Sequence, residues 1–295
     1  MGLPALVQTM RPHQWVKNSF VLAPVLFSHQ ADRGERLVDA AIACVSFCLA
    51  ASAAYLLNDV LDRDQDRLHP VKKDRPVASG RLGVGQAVGG AVVLAGAALV
   101  LGGIVGVGVL AIVGVYLALQ IAYGTVLKHV VIVDVMVVAM GFVLRVMAGS
   151  AAVGVEASEW LLLCTLLLAL FLGFSKRRQE IVTLGQEAAG GHRRVLDRYS
   201  PALLDQINSI LLGATIVCYA LYTVSPRTQE EVAGGRNLVF SVPLAIYGLL
   251  RYLYLVHDGD LAGSPTDALL RDRPLLFVVF LWAAYCSLVV YADWL

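Results

Sequence analysis

The chain has 295 residues, 58% of them hydrophobic and 15% charged, with a formal net charge of +1 and a mean hydropathy of +0.71. A soluble domain is closer to half apolar and a quarter charged, so the composition is that of an integral membrane protein. A net charge this close to zero gives no reason to expect nucleic acid as a partner.

A spanning helix needs about 20 mostly apolar residues. Nine spans are predicted, near 12–28, 38–58, 83–103, 107–127, 133–153, 159–176, 202–223, 237–256 and 274–292. The first has the most polar start, through His13, Gln14, Lys17 and Asn18. The opening residues MGLPALVQTM lack a basic n-region, so no signal peptide is expected. The uncharged run 82–127 would extend about 69 Å as helix, enough for two crossings, and GGIVGVG at 102–108 supplies the turn. Long solid apolar runs also argue against a β-barrel. Cys44, Cys48, Cys164, Cys218 and Cys286 lie inside apolar runs with no CxxC pair, which reads as buried structural thiols. With the N-terminus inside, 18 of the 23 Lys and Arg residues fall on inner segments and four on outer ones, leaving Arg145 within a span. The positive-inside rule therefore predicts a cytoplasmic N-terminus, an odd number of spans and cytoplasmic polar loops.

The densest charge lies at 58–80, NDVLDRDQDRLHPVKKDRPVASG, with five acidic and five basic residues between apolar runs. If the second span continues as helix, Asn58, Asp59, Asp62 and Asp66 share an arc of about 100° and Asp64 points away. Carboxylates four residues apart repel, so a cation is expected among them. Mg²⁺ suits hard oxygen donors and is usually held by one or two carboxylates plus substrate phosphates. The plainer alternative is a solvated helix end screened by Arg63 and Arg67. Pro70 and Pro76 then set an extended path, from which His69, Lys72, Lys73 and Arg75 can reach a phosphate. Basic residues in such a loop are also the ordinary topology signal.

This stretch resembles the first aspartate-rich motif of the UbiA superfamily of intramembrane prenyltransferases. A closer resemblance is to its decaprenyl-phosphate phosphoribosyltransferases, carried by RPHQWVKN at 11–18, the HPxKxxRPxAxG pattern at 69–80, GFVLRVMAG at 141–149 and SKRRQE at 175–180. The resemblance implies an all-α integral membrane protein: one UbiA-like domain over 1–295, nine transmembrane helices and an active cavity at the cytoplasmic side of the cell (inner) membrane. It implies Mg²⁺-dependent transfer of phosphoribose from 5-phosphoribosyl 1-diphosphate to a polyprenyl (decaprenyl) phosphate, in the pathway to lipid-linked arabinose for cell-wall arabinan. A homo-oligomer is compatible with it. Asn58, Asp59, Asp62 and Asp66 become the metal set, with Asp62 and Asp66 catalytic. Lys17, Asn18, Lys72, Arg75, Tyr123, Lys128, Asp134, Arg145, Lys176, Arg177, Arg178 and Glu180 become substrate-binding residues.

The chain departs from the prenyltransferase pattern after the sixth span. There SKRRQEIVTLGQEAAGGHRRVLDRYS replaces the second aspartate-rich motif, with Lys176, Arg177 and Arg178 consecutive and Glu180 and Asp197 isolated. Cations in place of acids suggest a second anionic group without its own metal. Six basic residues here also suffice as a topology signal. Arg145 within the fifth span costs at least about 2.5–3.5 kcal/mol on insertion scales, so a polar cavity or a carboxylate should face it. Asp134 lies about 16 Å away along the same helix face; both are read as lining the cavity, with Arg145 at its floor. Trp15 is read as an interfacial anchor, and His69 and His129 as hydrogen-bonding residues. Two other readings share these features: an ordinary prenyltransferase acting on a small acceptor, and a transporter, for which no repeat is evident. The polar segment 258–273 is read as a connecting loop.

Overall fold

The structure is a computed structural model that describes residues 2–27, 34–69, 72–184, 195–226, 228–229, 237–258, 268 and 271–291. Pro70, Arg193, Arg194 and most of the 258–273 loop lie outside the described residues. The helices are α1 (Gly2–Met10), α2 (Ala23–Phe27), α3 (Gly34–Leu61), α4 (Arg63–Leu68), α5 (Val84–Val105), α6 (Val107–Thr125), α7 (Val133–Val153), α8 (Glu159–Leu184), α9 (Pro201–Val224), α10 (Val242–Asp258) and α11 (Arg273–Tyr291). No strand occurs among the described residues. Among the described residues, eight helices are long and apolar enough to cross a bilayer: α3, α5, α6, α7, α8, α9, α10 with its lead-in from Leu238, and α11.

The stretch expected as a first span is organised differently. Pro12–Leu22 forms a 3₁₀ helix, with Pro12 at its start, and runs into α2 at Ala23. A 3₁₀ helix rises about 2.0 Å per residue against about 1.5 Å for α, so Pro12–Phe27 reaches about 30 Å, close to the hydrocarbon thickness.

The chain divides into two compact units, Met1–Val25 with Gln30–Ala157, and Leu26–His29 with Ser158–Leu295. In the first unit α3 and α7 are central: 61% and 67% of their apolar windows are buried, against 17% and 22% for α5 and α6. The Ala/Ser-rich middle of α3 and MAGSAA of α7 let backbones approach closely, and Val21, Ala43, Phe47, Ala50, Tyr116, Leu144 and Ala148 pack into one core. Ser46 Oγ donates to the Ala98 carbonyl at 2.7 Å, tying α3 to α5. The valines of α5 at 92, 93 and 100 face outward. The 3₁₀ helix packs on α3 and α7. Gly149 of α7 permits this contact, since a Cβ there would overlap the Val21 carbonyl oxygen. Trp15 donates from Nε1 to Ser52 Oγ of α3 at 3.0 Å.

In the second unit α8 and α9 pair antiparallel, with Cys164 and Cys218 in contact (Sγ–Sγ 3.5 Å) near one end and Arg178 paired with Asp205 near the other. Ser200 Oγ accepts from the Leu203 amide and Pro201 opens the first turn, the usual start signal of α9. Phe171, Leu212, Tyr252, Leu255, Leu275 and Val278 form its core. Asp272 accepts from Arg251 Nη2 (2.7 Å) and from the Leu275 amide (2.8 Å) at the head of α11. The hydrogen bonding from Arg251 holds the Asp272 carboxyl below the usual carboxylate range, against the opposing effect of burial. All five cysteines are free thiols.

Candidate active site

The apolar run of α3 ends at Leu61, but helical hydrogen bonds continue: the Asp62 amide donates to the Asn58 carbonyl (2.9 Å) and the Asp66 amide to the Asp62 carbonyl (2.8 Å). Asp62 leaves α-helical geometry (φ −92°, ψ 1°) and separates α3 from α4, and these two four-residue bonds bridge the break. Asp59 and Asp66 are buried, at 2% and 4% exposure. Asp64, on the opposite side, is 87% exposed and meets only Arg63 and Arg67. The predicted arc is therefore real.

Each acid of the arc meets a cation from a separate segment. Asp59 accepts from Arg11, between α1 and the 3₁₀ helix, and from Arg75 Nη1 at 3.3 Å. The same Arg75 nitrogen donates to Asp66 at 2.7 Å. Asp62 pairs with Lys128, which lies in the short 3₁₀ turn Leu127–His129 after α6. Asn58 packs against Gly124 of α6, where a Cβ would come within 2.5 Å of its Oδ1. Among the described residues two non-glycine residues, Arg11 (φ 52°) and Ile132 (φ 71°), have positive φ. Each such residue costs about 1–3 kcal/mol, and such strain gathers at functional sites. Arg11 is itself a partner of the arc, and Ile132 closes the turn that carries Lys128.

Arg145 is 6% exposed. Nε donates to Asn18 Oδ1 (2.7 Å), Nη1 to the Gly141 carbonyl (2.7 Å) and Nη2 to the Tyr116 hydroxyl (3.2 Å). The rings of Phe47, Tyr116 and Phe142 lie 5.1–5.8 Å from the guanidinium carbon. Its contacts are thus neutral oxygens and aromatic faces, not a carboxylate. Asn18 is fully buried and also donates from Nδ2 to Cys48 Sγ at 3.2 Å. Replacing Arg145 by methionine relieves an insertion cost of about 2.5–3.5 kcal/mol. It also strands Asn18 and Tyr116, at about 1–3 kcal/mol each. These nearly cancel, so Arg145→Met is expected to shift thermal stability in detergent by less than about 2 kcal/mol. If Arg145 serves substrate, activity should fall about 100-fold, the scale of one lost charge-stabilising donor. A stability loss that accounts for the whole activity loss would make it a structural residue.

The other predicted residues are placed as follows. Lys17 is half-buried beside Asn18, and Lys72 is half-buried where its backbone amide donates to His69 Nδ1 (3.2 Å). Tyr123 is half-buried in the last turn of α6, and Asp134 is fully buried in the first turn of α7. In the second unit Lys176 is exposed and Arg177 is buried with Glu180 at 2.8 Å. Arg178 is engaged by Asp205 of α9 and by the Val256 carbonyl of α10 at 3.3 Å, and His257 also approaches Asp205 at 3.2 Å. Sequence reasoning missed Arg11, Tyr116 and Asp205. Arg11 lies in the RPHQWVKN stretch, and the Arg–Pro step at a helix junction was its signal.

Among the described residues no three His, Cys, Asp or Glu side chains converge as a metal cluster. Mg²⁺ does not require that, since phosphates and water usually complete its shell. The donor set fits such an ion: hard carboxylate oxygens on one arc, with Arg75 Nη1 already standing as a cation between Asp59 and Asp66.

The description of the UbiA prenyltransferase family matches residues 20–282. A decaprenyl-phosphate phosphoribosyltransferase of Corynebacterium glutamicum is 37% identical over 290 residues, covering 97% of this chain and 86% of that protein. One from Mycobacterium tuberculosis is 36% identical over 283 residues, covering 95% and 92%. Among solved structures, a UbiA homolog from Archaeoglobus fulgidus bound to GPP and Mg²⁺ shares the fold, with a TM-score of 0.73 at 19% identity over 97% of this chain and 99% of that one.

Proposed function

The chain belongs to the UbiA prenyltransferase family, and from that premise we propose that it transfers phosphoribose from 5-phosphoribosyl 1-diphosphate to decaprenyl phosphate, releasing pyrophosphate. The observation that carries this reading is one acidic arc combined with cations at 176–178, where the prenyltransferase pattern has a second set of acids. Near full-length similarity to relatives of that name supports it.

In the reaction an oxygen of the acceptor phosphate bonds to the anomeric carbon, and the bond from that carbon to the diphosphate breaks. Departure of the diphosphate leaves oxocarbenium-like positive charge on the sugar and negative charge on the leaving group. Mg²⁺, when bound, supplies Lewis-acid neutralisation of that leaving charge. Asn58, Asp59, Asp62 and Asp66 are assigned to hold it. Arg75, Lys128, Lys72 and Lys17 bind phosphate oxygens and keep the diphosphate in register, while Tyr123 and Asp134 position the donor. Lys176 and Arg177 are the second unit's phosphate-handling residues in this proposal, with Glu180 at the substrate through its hold on Arg177. Arg178, already held by Asp205, orients that segment. A phosphate monoester with a second pKa of about 6 is largely ionised at neutral pH, so no strong general base is needed. The acceptor remains in the bilayer and the donor in water, which calls for a charged rim and an apolar interior. We place the site on the cytoplasmic face of the cell membrane, with the N-terminus inside and Pro12–Phe27 as a ninth crossing.

Membranes containing the protein are expected to convert labelled 5-phosphoribosyl 1-diphosphate into a lipid-extractable product when decaprenyl phosphate is supplied, and chelator should abolish the product. Folded protein that leaves all label in the aqueous phase would exclude this function.

A further inference from the structure

We propose that Arg11 is a positioning residue that, together with Arg75, couples metal entry to diphosphate binding. Arg11 precedes Pro12, a position that disfavours right-handed helix. It takes a left-handed backbone at φ 52°, ψ 61°, at a cost of about 1–2 kcal/mol. That conformation brings its guanidinium onto Asp59 and over the face of Tyr55, 4.9 Å from the ring centre. Asp59 is 2% exposed, and a buried carboxylate requires a paired charge. Arg11 and Arg75 both donate to its Oδ1, and Arg75 also reaches Asp66.

These contacts and a divalent ion compete for the same oxygens. Mg²⁺ binds oxygen at about 2.0–2.1 Å, and a dication at that distance would repel guanidinium nitrogens that lie 2.7 and 3.3 Å from the carboxylate oxygens. A metal arriving alone would leave two partly buried guanidinium groups without an anion. A diphosphate supplies that anion, and the planar guanidinium fork suits arginine to bidentate phosphate contacts. The metal and the diphosphate therefore bind with positive coupling, the arginines passing from carboxylate to phosphate as the ion takes the carboxylates. Arg11 sets the strength of this exchange through its hold on Asp59.

The inference rests on the diphosphate reading of the site, but its test needs neither sugar donor nor lipid acceptor, so its failure is separable from failure of that reading. Full-length wild type, Arg11→Gln and Arg11→Lys would be titrated with Mn²⁺ in detergent by electron paramagnetic resonance, without any phosphate, and then with pyrophosphate alone by calorimetry. Arg11→Gln is expected to bind Mn²⁺ about tenfold more tightly and metal-free pyrophosphate about tenfold more weakly, within the common range of coupling energies. Arg11→Lys, which keeps the charge but loses the fork, should stay near wild type for Mn²⁺ and bind metal-free pyrophosphate more weakly than wild type. A purely structural Arg11 would weaken both ligands along with thermal stability. Unchanged or weaker Mn²⁺ binding by folded Arg11→Gln overturns the proposal. Should Arg11→Gln not fold, the wild type alone decides: equal occupancy by Mn²⁺, at matched free concentration, with and without pyrophosphate also overturns it.

Discussion

Asp66→Asn is expected to lower turnover by about 10²–10⁴-fold, the rate equivalent of losing several kcal/mol of leaving-group stabilisation. The substitution is nearly isosteric, and the amide oxygen can still accept from Arg75, which donates to Asp66 at 2.7 Å. The fold should therefore survive, with a thermal midpoint within a few degrees of wild type. Asp62→Asn should behave similarly, since its partner Lys128 keeps an oxygen to bind. Asp64→Asn is the control within the same helix: it is 87% exposed on the far side and should change turnover less than about twofold, as surface substitutions rarely matter. The measurement is initial-rate formation of lipid-linked product at saturating metal. Wild-type turnover in Asp66→Asn, or equal losses in Asp64→Asn and Asp66→Asn, would remove the arc from the chemistry.

The second large effect is expected far from the acids, at Gly149. A methyl group there would overlap the Val21 carbonyl oxygen and come within 3.1 Å of Pro24 Cδ. The obstacle is backbone held in a close-packed core, so the segment must move, at a cost of about 1–3 kcal/mol or more. Gly149→Ala should lower the thermal midpoint in detergent by several degrees. It should also reduce activity about tenfold beyond the loss of folded protein, because the displaced 3₁₀ helix carries Lys17 and the Asn18 carboxamide that accepts from Arg145. Gly213→Ala on α9, where a Cβ meets nothing within 4 Å, should be neutral or stabilising by up to about 1 kcal/mol. Equal behaviour of the two alanine variants in thermal unfolding would show that the close approach of Val21 to α7 carries no energy.

Much of this architecture was legible along the chain. Eight of the nine predicted apolar runs correspond to spanning helices, and the turn expected at 102–108 falls at Gly106 between α5 and α6. The acid arc was readable because the four-residue hydrogen bonds of Asp62 and Asp66 bridge the break between α3 and α4. The first segment was harder to read. Its length and polar start left the helix type open, and packing of Val21 on Gly149 holds it against α7 in 3₁₀ form. Burial is also uneven, with α3 and α7 carrying more of it than α5 and α6.

What the sequence by itself determined is what repeats over three or four residues: which stretches are apolar enough for a bilayer, and which carboxylates share a helix face. The helix period is a local property, so these features need no neighbour. Only the tertiary structure decided which cation meets which acid. Arg11 reaches Asp59 across 48 residues and Lys128 reaches Asp62 across 66. Arg145 meets Asn18 across 127. Such pairings depend on the depth and rotation at which helices pack. Those are set by the summed fit of many small apolar contacts, and no short window of sequence contains them.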